Sequence, residues 1–321
     1  MQTKKKRKIS ILMIILFTLL AIYALSIFFT LGFGFLTSLK SRTDFLRNKL
    51  GLPDPDYSAE QLKLSNYGLV LQYLNVKVGG QAYTTAFGDV VPDVEYVGIG
   101  GMLLNTILYT VVNACLNAFI PAVCAYVCVE YKFKIGGILY AVNLFAMTMP
   151  IVGSTPSTIT LLRNLGIFDT WFGSWVLRLT FTGTYFFVFW AFYQGFSGAY
   201  SEAAEIDGAS QWQVLVSIIL PLSIKTITTV ALLNFVTLWN DYNTTVLYMP
   251  THPTLAYGVW YFARSGHVGN AQGLKPIIKA QLGAIPVQLT SCMTLALPLL
   301  VIFVIFKEKL MGNISAGGVK E

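Results

Sequence analysis

The sequence has few charged side chains for its length. Asp, Glu, Lys and Arg make up 12% of the 321 residues, and hydrophobic residues make up 55%. Soluble domains carry about 25% charged residues. Several apolar stretches reach the roughly 20 residues that a helix needs to cross the hydrocarbon core of a bilayer. This composition excludes an ordinary soluble protein and indicates a protein that crosses a lipid bilayer several times.

Residue types used for metal binding and catalysis are also scarce. The chain has two histidines, His252 and His267, which lie in polar loops, and four cysteines, which all lie in apolar segments. Cys124 and Cys128 are spaced to share a helix face, but no histidine or carboxylate joins them, so buried thiols are favoured over a metal site. Neither a nucleophile elbow nor an H-E-x-x-H motif is found. The sequence therefore predicts no catalytic residue and no metal site.

The phosphate-binding loop G-x-x-x-x-G-K-[ST] is missing as well, so no cofactor is expected in this chain. The net charge of +7 does not indicate nucleic-acid binding, because the basic residues are not gathered on one face with aromatic residues. Five of them form a block at residues 4–8, directly before an apolar run. Such a block holds the N-terminus in the cytoplasm.

Hydrophobic segments predict six membrane-spanning helices. The first apolar run exceeds the roughly 7–15 residues of a signal-peptide core and is followed by no A-x-A cleavage site, so it is expected to be retained. An even number of spans places both termini in the cytoplasm. The spans are expected at residues 9–36, 99–129, 135–161, 171–196, 213–247 and 285–306.

These spans predict an all-α membrane protein with four parts. Residues 1–36 hold the basic N-terminus and first helix, and the polar insert at 37–98 is expected to be extracellular and partly helical. Residues 99–306 form a five-helix core that contains a cytoplasmic loop at 197–212. Residues 307–321 form a cytoplasmic tail.

The loop before the fifth span has an unusual composition. From Ser201 it runs S-E-A-A-E-I-D-G-A-S-Q-W-Q-V-L-V-S-I-I-L-P. Ser201 is predicted to cap a helix of about two turns, Glu202 favours its N-terminal end, and Gly208 supplies a left-handed residue that ends it. A helix this short is marginal alone in water, so we expect another protein to hold it. Pro221 is predicted to kink the following span.

This loop resembles the signature of binding-protein-dependent ABC importer permeases. The family pattern is E-A-A, three residues, Gly, nine residues, then I-x-L-P, and the longer form E-A-A-x-x-D-G-A is similar to the carbohydrate branch, of the maltose-permease G-subunit type. The resemblance covers residues 99–321 and includes W-N-D and the tail S-A-G-G-V-K. The positions that match are Glu202, Ala203, Ala204, Asp207, Gly208, Ala209, Ile218, Leu220 and Pro221. The long insert at 37–98 departs from the pattern.

The resemblance implies a type I ABC importer permease fold and several partners. These are a second homologous permease subunit, two ATP-binding-cassette ATPase subunits that bind ATP and Mg²⁺, an extracellular sugar-binding protein and the lipid bilayer of a bacterial plasma membrane. It also implies that the short helix sits in a cleft of an ATPase subunit. Glu202 would be the polar anchor, Gly208 the turn, and Ala203 and Ala204 the contact surface. The chain itself would then be a non-catalytic subunit.

Polar residues within the predicted spans are candidates for the path of a sugar, because they are costly in lipid unless they face a cavity or a partner. Aromatic faces beside amides and carboxylates suit sugar recognition. The candidates are Asn143, Arg178, Tyr185, Asn234, Trp239, Asn240 and Asp241. Alternatively, Trp and Tyr mark the bilayer interface, Asn binds a neighbouring helix, and W-N-D contacts the external binding protein.

Two other functions stay open at this point. One is an ABC importer permease for a solute that is not a sugar. The other is an ion-coupled secondary transporter, which needs coupling sites near the middle of the membrane. Arg178 and Asp241 are the plausible intramembrane charges, which gives ion coupling little support.

Overall fold

The computed structural model describes residues 11–54, 65–84, 90–131, 134–149, 153–195, 199–265 and 276–314. The basic block at 4–8, His267 and the last seven residues of the tail lie outside these ranges, so the predictions made for them are not tested. The chain divides into two compact units. One comprises Met1–Leu74 with Phe262–Ala296, and the other comprises Asn75–Tyr261 with Leu297–Glu321.

Helices dominate the described residues, with one β-hairpin. In chain order the elements are α1 (Ile11–Ser38), α2 (Arg42–Arg47), α3 (Ser65–Tyr73), β1 (Asn75–Thr84), β2 (Val90–Gly98), α4 (Ile99–Glu130), α5 (Lys134–Thr148), α6 (Ser154–Asn164), α7 (Trp171–Val176), α8 (Thr184–Gln194), α9 (Ala199–Ile206), α10 (Gln211–Val214), a π-helical segment (Leu215–Ile219), α11 (Leu220–Trp239), α12 (Asn243–Tyr248), α13 (Leu255–Ser265), α14 (Pro276–Leu282) and α15 (Ile285–Ile314).

In the first unit, hydrogen bonds hold the C-terminal end of α1. Asn66 of α3 donates from its side-chain amide to the carbonyl oxygens of Ser38 and Lys40, at 2.8 and 2.9 Å. Thr290 of α15 donates its hydroxyl to the same Ser38 oxygen at 3.1 Å. The two bonds to Ser38 satisfy a carbonyl group that the end of a helix leaves without an intrahelical partner.

In the second unit, α4 packs against α8 and α11. Ala118, Ala122 and Ala125 of α4 are fully buried, as are Phe186 and Phe189 of α8. Alanines spaced three or four residues apart line one face of a helix and allow a neighbouring helix to approach closely. The core of this unit is therefore formed by small residues of α4 against large aromatic residues of α8.

The polar insert contains strands, so the all-α prediction is wrong at this point. β1 and β2 pair antiparallel, from Asn75 opposite Gly98 to Thr84 opposite Val90, with an irregularity between Gly79 and Ala82. Val76 and Val78 are buried, which is the period-two pattern of a strand with one packed face. Helices α2 and α3 confirm that the insert is partly helical.

Within the described ranges, four helices are long and apolar enough to cross a membrane, at Ile11–Ser38, Ile99–Glu130, Gln211–Trp239 and Ile285–Phe306. The predicted third and fourth spans are instead built from shorter helices. A six-span count and cytoplasmic termini thus stay predictions.

Glycines with positive φ lie at the breaks in these two spans. Gly153 has φ +84° immediately before α6, and Gly183 has φ +129° immediately before α8. Both are conformations that glycine adopts without a steric penalty. The predicted fifth span also ends earlier, since α11 stops at Trp239 and α12 starts at Asn243.

Candidate functional site

The predicted two-turn helix is present as α9. It ends at Ile206, and Gly208 has φ +81°, which confirms the left-handed residue that the sequence predicts. The backbone N–H of Ala209 donates to the carbonyl oxygen of Ala204 at 2.9 Å, the bond that closes a helix ending in a left-handed glycine. The prediction that Ser201 caps the helix is wrong, because α9 begins at Ala199 and Ser201 is buried within it.

One face of α9 packs on its own chain and the other is exposed. Ala204 is 7% exposed and belongs to a core that includes Tyr126 and Val214. Ala203 is exposed, and so is Ile206, which is 86% exposed. The helical period of 3.6 residues turns Ala204 inward when Ala203 faces out, and contact of this helix with an ATPase subunit stays a prediction.

Hydrogen bonds fix the segment that follows α9. Ser210 caps α10, its side chain accepting from the backbone N–H of Gln213 while the Gln213 side chain accepts from the backbone N–H of Ser210. The Tyr131 hydroxyl, at the end of α4, is 2.7 Å from Oε1 of Gln211 and donates to it. These bonds connect α10, which continues into α11, to the end of α4.

The helix that carries Pro221 is continuous but contains a π-turn. The N–H of Leu220 donates to the carbonyl oxygen of Leu215, five residues earlier. A proline in a regular helix clashes with the carbonyl group four residues before it. The wider π-turn stands immediately before Pro221, where such a clash would otherwise occur.

Three side chains from distant parts of the second unit meet in a polar cluster. The Tyr109 hydroxyl of α4 donates to Oδ2 of Asp241 at 2.8 Å. Nη2 of Arg178 donates to the Tyr109 oxygen at 2.9 Å and forms an ion pair with Oδ2 of Asp241 at 3.2 Å. Arg178 lies in the break between α7 and α8, and Asp241 lies in the break between α11 and α12. The cluster therefore joins both breaks to α4.

A polar cavity of about 420 Å³ lies beside this cluster. Ligand pockets typically occupy about 300–1,000 Å³. Asn117 of α4 donates to the side-chain oxygen of Asn234 in α11 at 3.2 Å, so the two amides form part of the same wall. The lining residues are Asn117, Pro121, Arg178, Thr180, Thr182, Gly183, Thr184, Tyr185 and Asn234.

A continuous part of the sequence, which contributes to both units, matches a known family. The family is described as the binding-protein-dependent transport system inner membrane component, and the match covers residues 118–307. The chain belongs to this family. The permease is accordingly a multi-pass transport component of the bacterial plasma membrane, in agreement with its long apolar helices.

Several permeases of named uptake systems are similar in sequence. One is the diacetylchitobiose uptake system permease of Streptomyces coelicolor, 26% identical over 68% of this chain and 69% of the relative. Another is the trehalose transport system permease of Mycobacterium tuberculosis, 24% identical over 68% and 76%. Among solved structures, a bacterial ABC transporter involved in import of the acidic polysaccharide alginate covers 96% of this chain and 99% of its own, with a TM-score of 0.69 and 20% identity. At that identity the last match shows the fold alone.

The candidate path residues of the permease have different surroundings. Arg178, Tyr185 and Asn234 line the polar cavity, and Asp241 is bonded to Arg178. Asn143 does not line it. Its side-chain oxygen accepts from the N–H of Gly183 at 2.8 Å and its amide donates to the Gly183 oxygen at 3.3 Å.

The tryptophan and the asparagine of W-N-D also lie away from the polar cavity. Trp239 is buried and lines a separate apolar cavity of about 640 Å³ with residues of α4, α11 and α15. Asn240 is exposed and donates to the carbonyl oxygen of Val236 in α11. Neither Trp239 nor Asn240 lines the polar cavity, so their place on the path of a sugar stays a prediction.

Sequence reasoning missed three features of the permease. Tyr109 and Asn117 were not predicted, although their spacing of eight residues places them on one face of α4. The sequence places His252 in a polar loop but does not identify its partner: Nδ1 of His252 is 3.4 Å from Oδ1 of Asp169. Asp169 also accepts from the backbone and hydroxyl of Thr251. Among the described residues, no group of three or more His, Cys, Asp or Glu is arranged to hold a metal ion.

Proposed function

We propose that the chain is one of two membrane-spanning subunits of an ATP-driven importer of a sugar or an oligosaccharide. The observation that carries the proposal is α9, which is anchored in the core by Ala204 and exposes Ile206 on its other face. An exposed isoleucine on a short, fixed helix suits insertion into an apolar groove of another protein. The partner in this proposal is an ATPase subunit that binds ATP and Mg²⁺.

The sugar assignment rests on relatives and on the cavity. The similar permeases of Streptomyces and Mycobacterium are named for diacetylchitobiose and trehalose. The cavity wall of this chain carries threonine and tyrosine hydroxyls and the amides of Asn117 and Asn234. Hydroxyl and amide groups act as both donors and acceptors, as the hydroxyl groups of a sugar require.

The proposed mechanism is alternating access. An extracellular binding protein delivers the sugar to the outer face, and closure of the ATPase pair moves α9. Because α9 packs on the same core as α4 and α8, this movement is transmitted to the helices that surround the cavity. The cavity opens to each side of the membrane in turn, completed by a second homologous permease subunit.

Of the two alternatives, an ABC permease for another solute differs from the proposal in cargo alone. Ion coupling is disfavoured by membership of a binding-protein-dependent family. It is also disfavoured by the Arg178–Asp241 pair, in which each charge neutralises the other at 3.2 Å. Uptake into vesicles that follows an ion gradient and is indifferent to ATP would favour ion coupling.

Truncation of Ile206 tests the coupling role of α9. We expect Ile206→Ala to lower both ATPase copurification and ATP-driven uptake of the sugar by about tenfold, since an interface anchor contributes more than about 1 kcal/mol. Ile224→Ala is the matched control, because Ile224 of α11 is also exposed, at 55%. The measurements are subunit stoichiometry after purification and uptake into proteoliposomes.

The two variants separate coupling from general damage. An equal loss in both would indicate damage to the fold, and an unchanged ATPase content in Ile206→Ala would contradict docking through α9. The sugar assignment is tested in the same vesicles with the oligosaccharide that the binding protein retains. Absence of ATP-dependent sugar uptake by the wild-type complex would overturn it.

A further inference from the structure

The wall of the polar cavity carries one charged side chain among its lining residues, Arg178. An arginine in a sugar cavity suggests at first a receptor for a carboxylate, since guanidinium groups bind carboxylates in a fork geometry. The surroundings of Arg178 argue against this role. Its Nη2 is already bonded to Asp241 and to Tyr109, at 3.2 and 2.9 Å.

Asp241 is held from two sides. Its Oδ2 accepts from Tyr109 and Arg178, and its Oδ1 accepts from the backbone N–H of Thr244 at 3.0 Å, at the start of α12. The side chains of Arg178 and Asp241 are 24% and 18% exposed, respectively. A ligand carboxylate that displaced Asp241 from Arg178 would leave a partly buried carboxylate without its cationic partner, which is strongly unfavourable.

The other polar groups of the wall are neutral. They are the side chains of Asn117, Thr180, Thr182, Thr184, Tyr185 and Asn234. The hydroxyl groups of Thr180 and Thr182 are 2.7 Å apart and exposed. The wall therefore offers hydrogen bonds to hydroxyl groups and, with Asp241 in place, no uncompensated positive charge.

We propose that Asp241 is a specificity-determining residue which neutralises Arg178, so that the cavity accepts an uncharged oligosaccharide and rejects one that carries uronate carboxylates. The inference rests on the proposed sugar-transport function and adds the charge class of the sugar. One solved structure of similar fold is named for import of an acidic polysaccharide, so the inference predicts a different charge class of cargo for this chain.

The test uses the complete transporter, purified through a tag on this chain and placed in nanodiscs without the external binding protein. Saturation-transfer NMR measures binding of maltotriose, xylotriose and trigalacturonate. We expect the wild-type complex to bind at least one neutral trisaccharide more tightly than trigalacturonate. Asp241→Asn should tighten trigalacturonate binding between about tenfold and a hundredfold, the range for a new hydrogen bond to a charged group.

Two further variants identify the origin of the gain. Asp241→Asn combined with Arg178→Gln should lose it, because the guanidinium group that binds the carboxylate is removed. Asp169→Asn is the matched control. It removes a carboxylate that interacts with Thr251 and His252 and is absent from the cavity wall, so it should gain nothing.

The wild-type comparison needs no variant and keeps the proposal falsifiable if Asp241→Asn does not assemble. Tighter binding of trigalacturonate than of both neutral trisaccharides by the wild type would overturn the inference and leave the sugar-transport function standing. Binding of none of the three sugars would count against both. An equal gain in Asp241→Asn and Asp169→Asn would show a general charge effect and also overturn it.

Discussion

Asn143 shows how a single amide can fix a break in a helix. The residue is fully buried in α5, and its side chain bonds both the N–H and the carbonyl group of Gly183. Gly183 has φ +129° and is the N-cap residue of α8, so its N–H has no partner within the helix. The amide of Asn143 accepts from this N–H and also donates to the Gly183 oxygen, since it carries one donor side and one acceptor side.

Asn143→Ala should therefore destabilise the protein. Two hydrogen bonds are lost and the Gly183 N–H is left unsatisfied, which costs about 1–3 kcal/mol. Asn164→Ala is the matched control, because Asn164 is an exposed asparagine at the end of α6. Thermal unfolding of the purified complex measures both, and equal unfolding temperatures for the two variants would refute the role given to Asn143.

At the scale of single residues, the sequence shows which side chains are chemically unusual better than it shows which residues they contact. Arg178 and Asp241 were predicted because charges are rare in spans, and they are paired in the structure. Tyr109 was missed because a tyrosine in an apolar segment is typical of the bilayer interface. Its partners are 69 and 132 positions away in the chain, and local pattern carries no information on such a separation.

The π-turn before Pro221 is the most informative feature at the scale of elements. A π-turn accommodates one residue more than a regular helical turn. The helical segments before and after it therefore face the same directions as in a regular helix that lacks this residue. Removing that residue should leave the two sides aligned. Removing a residue from the regular part of α11 should rotate one side relative to the other by about 100°, because a helix has 3.6 residues per turn.

Deletion variants test this property. In a Pro221→Ala background, deletion of Ser217 within the π-helical segment should keep Ala204 of α9 in the core and retain the ATPase subunits. Deletion of Ile224 in the same background should lose them, because Ala204 is rotated out of the core. Pro221→Ala alone serves as the reference in purification and uptake assays. Loss of the ATPase subunits to the same degree in both deletions would show that the π-turn does not absorb a residue.

Elements were predicted where one physical cause dominates. Long apolar runs gave α1, α4, α11 and α15, because their length and hydropathy are sufficient signals. The breaks before α6 and α8 were not foreseen, because one glycine with positive φ interrupts a helix without changing the apolar composition around it. The β-hairpin was missed because its alternation is short and irregular at Gly79.

At the scale of the whole molecule, the predicted topology makes a direct prediction about sidedness. With both termini in the cytoplasm, Asn164 at the end of α6 should be extracellular, and Asp207 beside α9 should be cytoplasmic. Both residues are exposed. Single cysteines at these two positions, in a variant that lacks the four native cysteines, are the appropriate probes.

A maleimide that does not cross membranes should label Asn164→Cys in intact cells. It should label Asp207→Cys after permeabilisation alone. Labelling of both in intact cells, or the reverse pattern, would contradict the six-span arrangement. The experiment is independent of the transported sugar, so it tests the fold separately from the function.

The two faces of α9 have a consequence for how such transporters diversify. Ala204 is confined by the core and tolerates little change in volume, whereas the side chains of Ala203 and Ile206 are exposed. Substitutions on the outer face can therefore accumulate without loss of folding. We expect that exchanging a few of these outward residues would allow the chain to work with the ATPase of an unrelated importer.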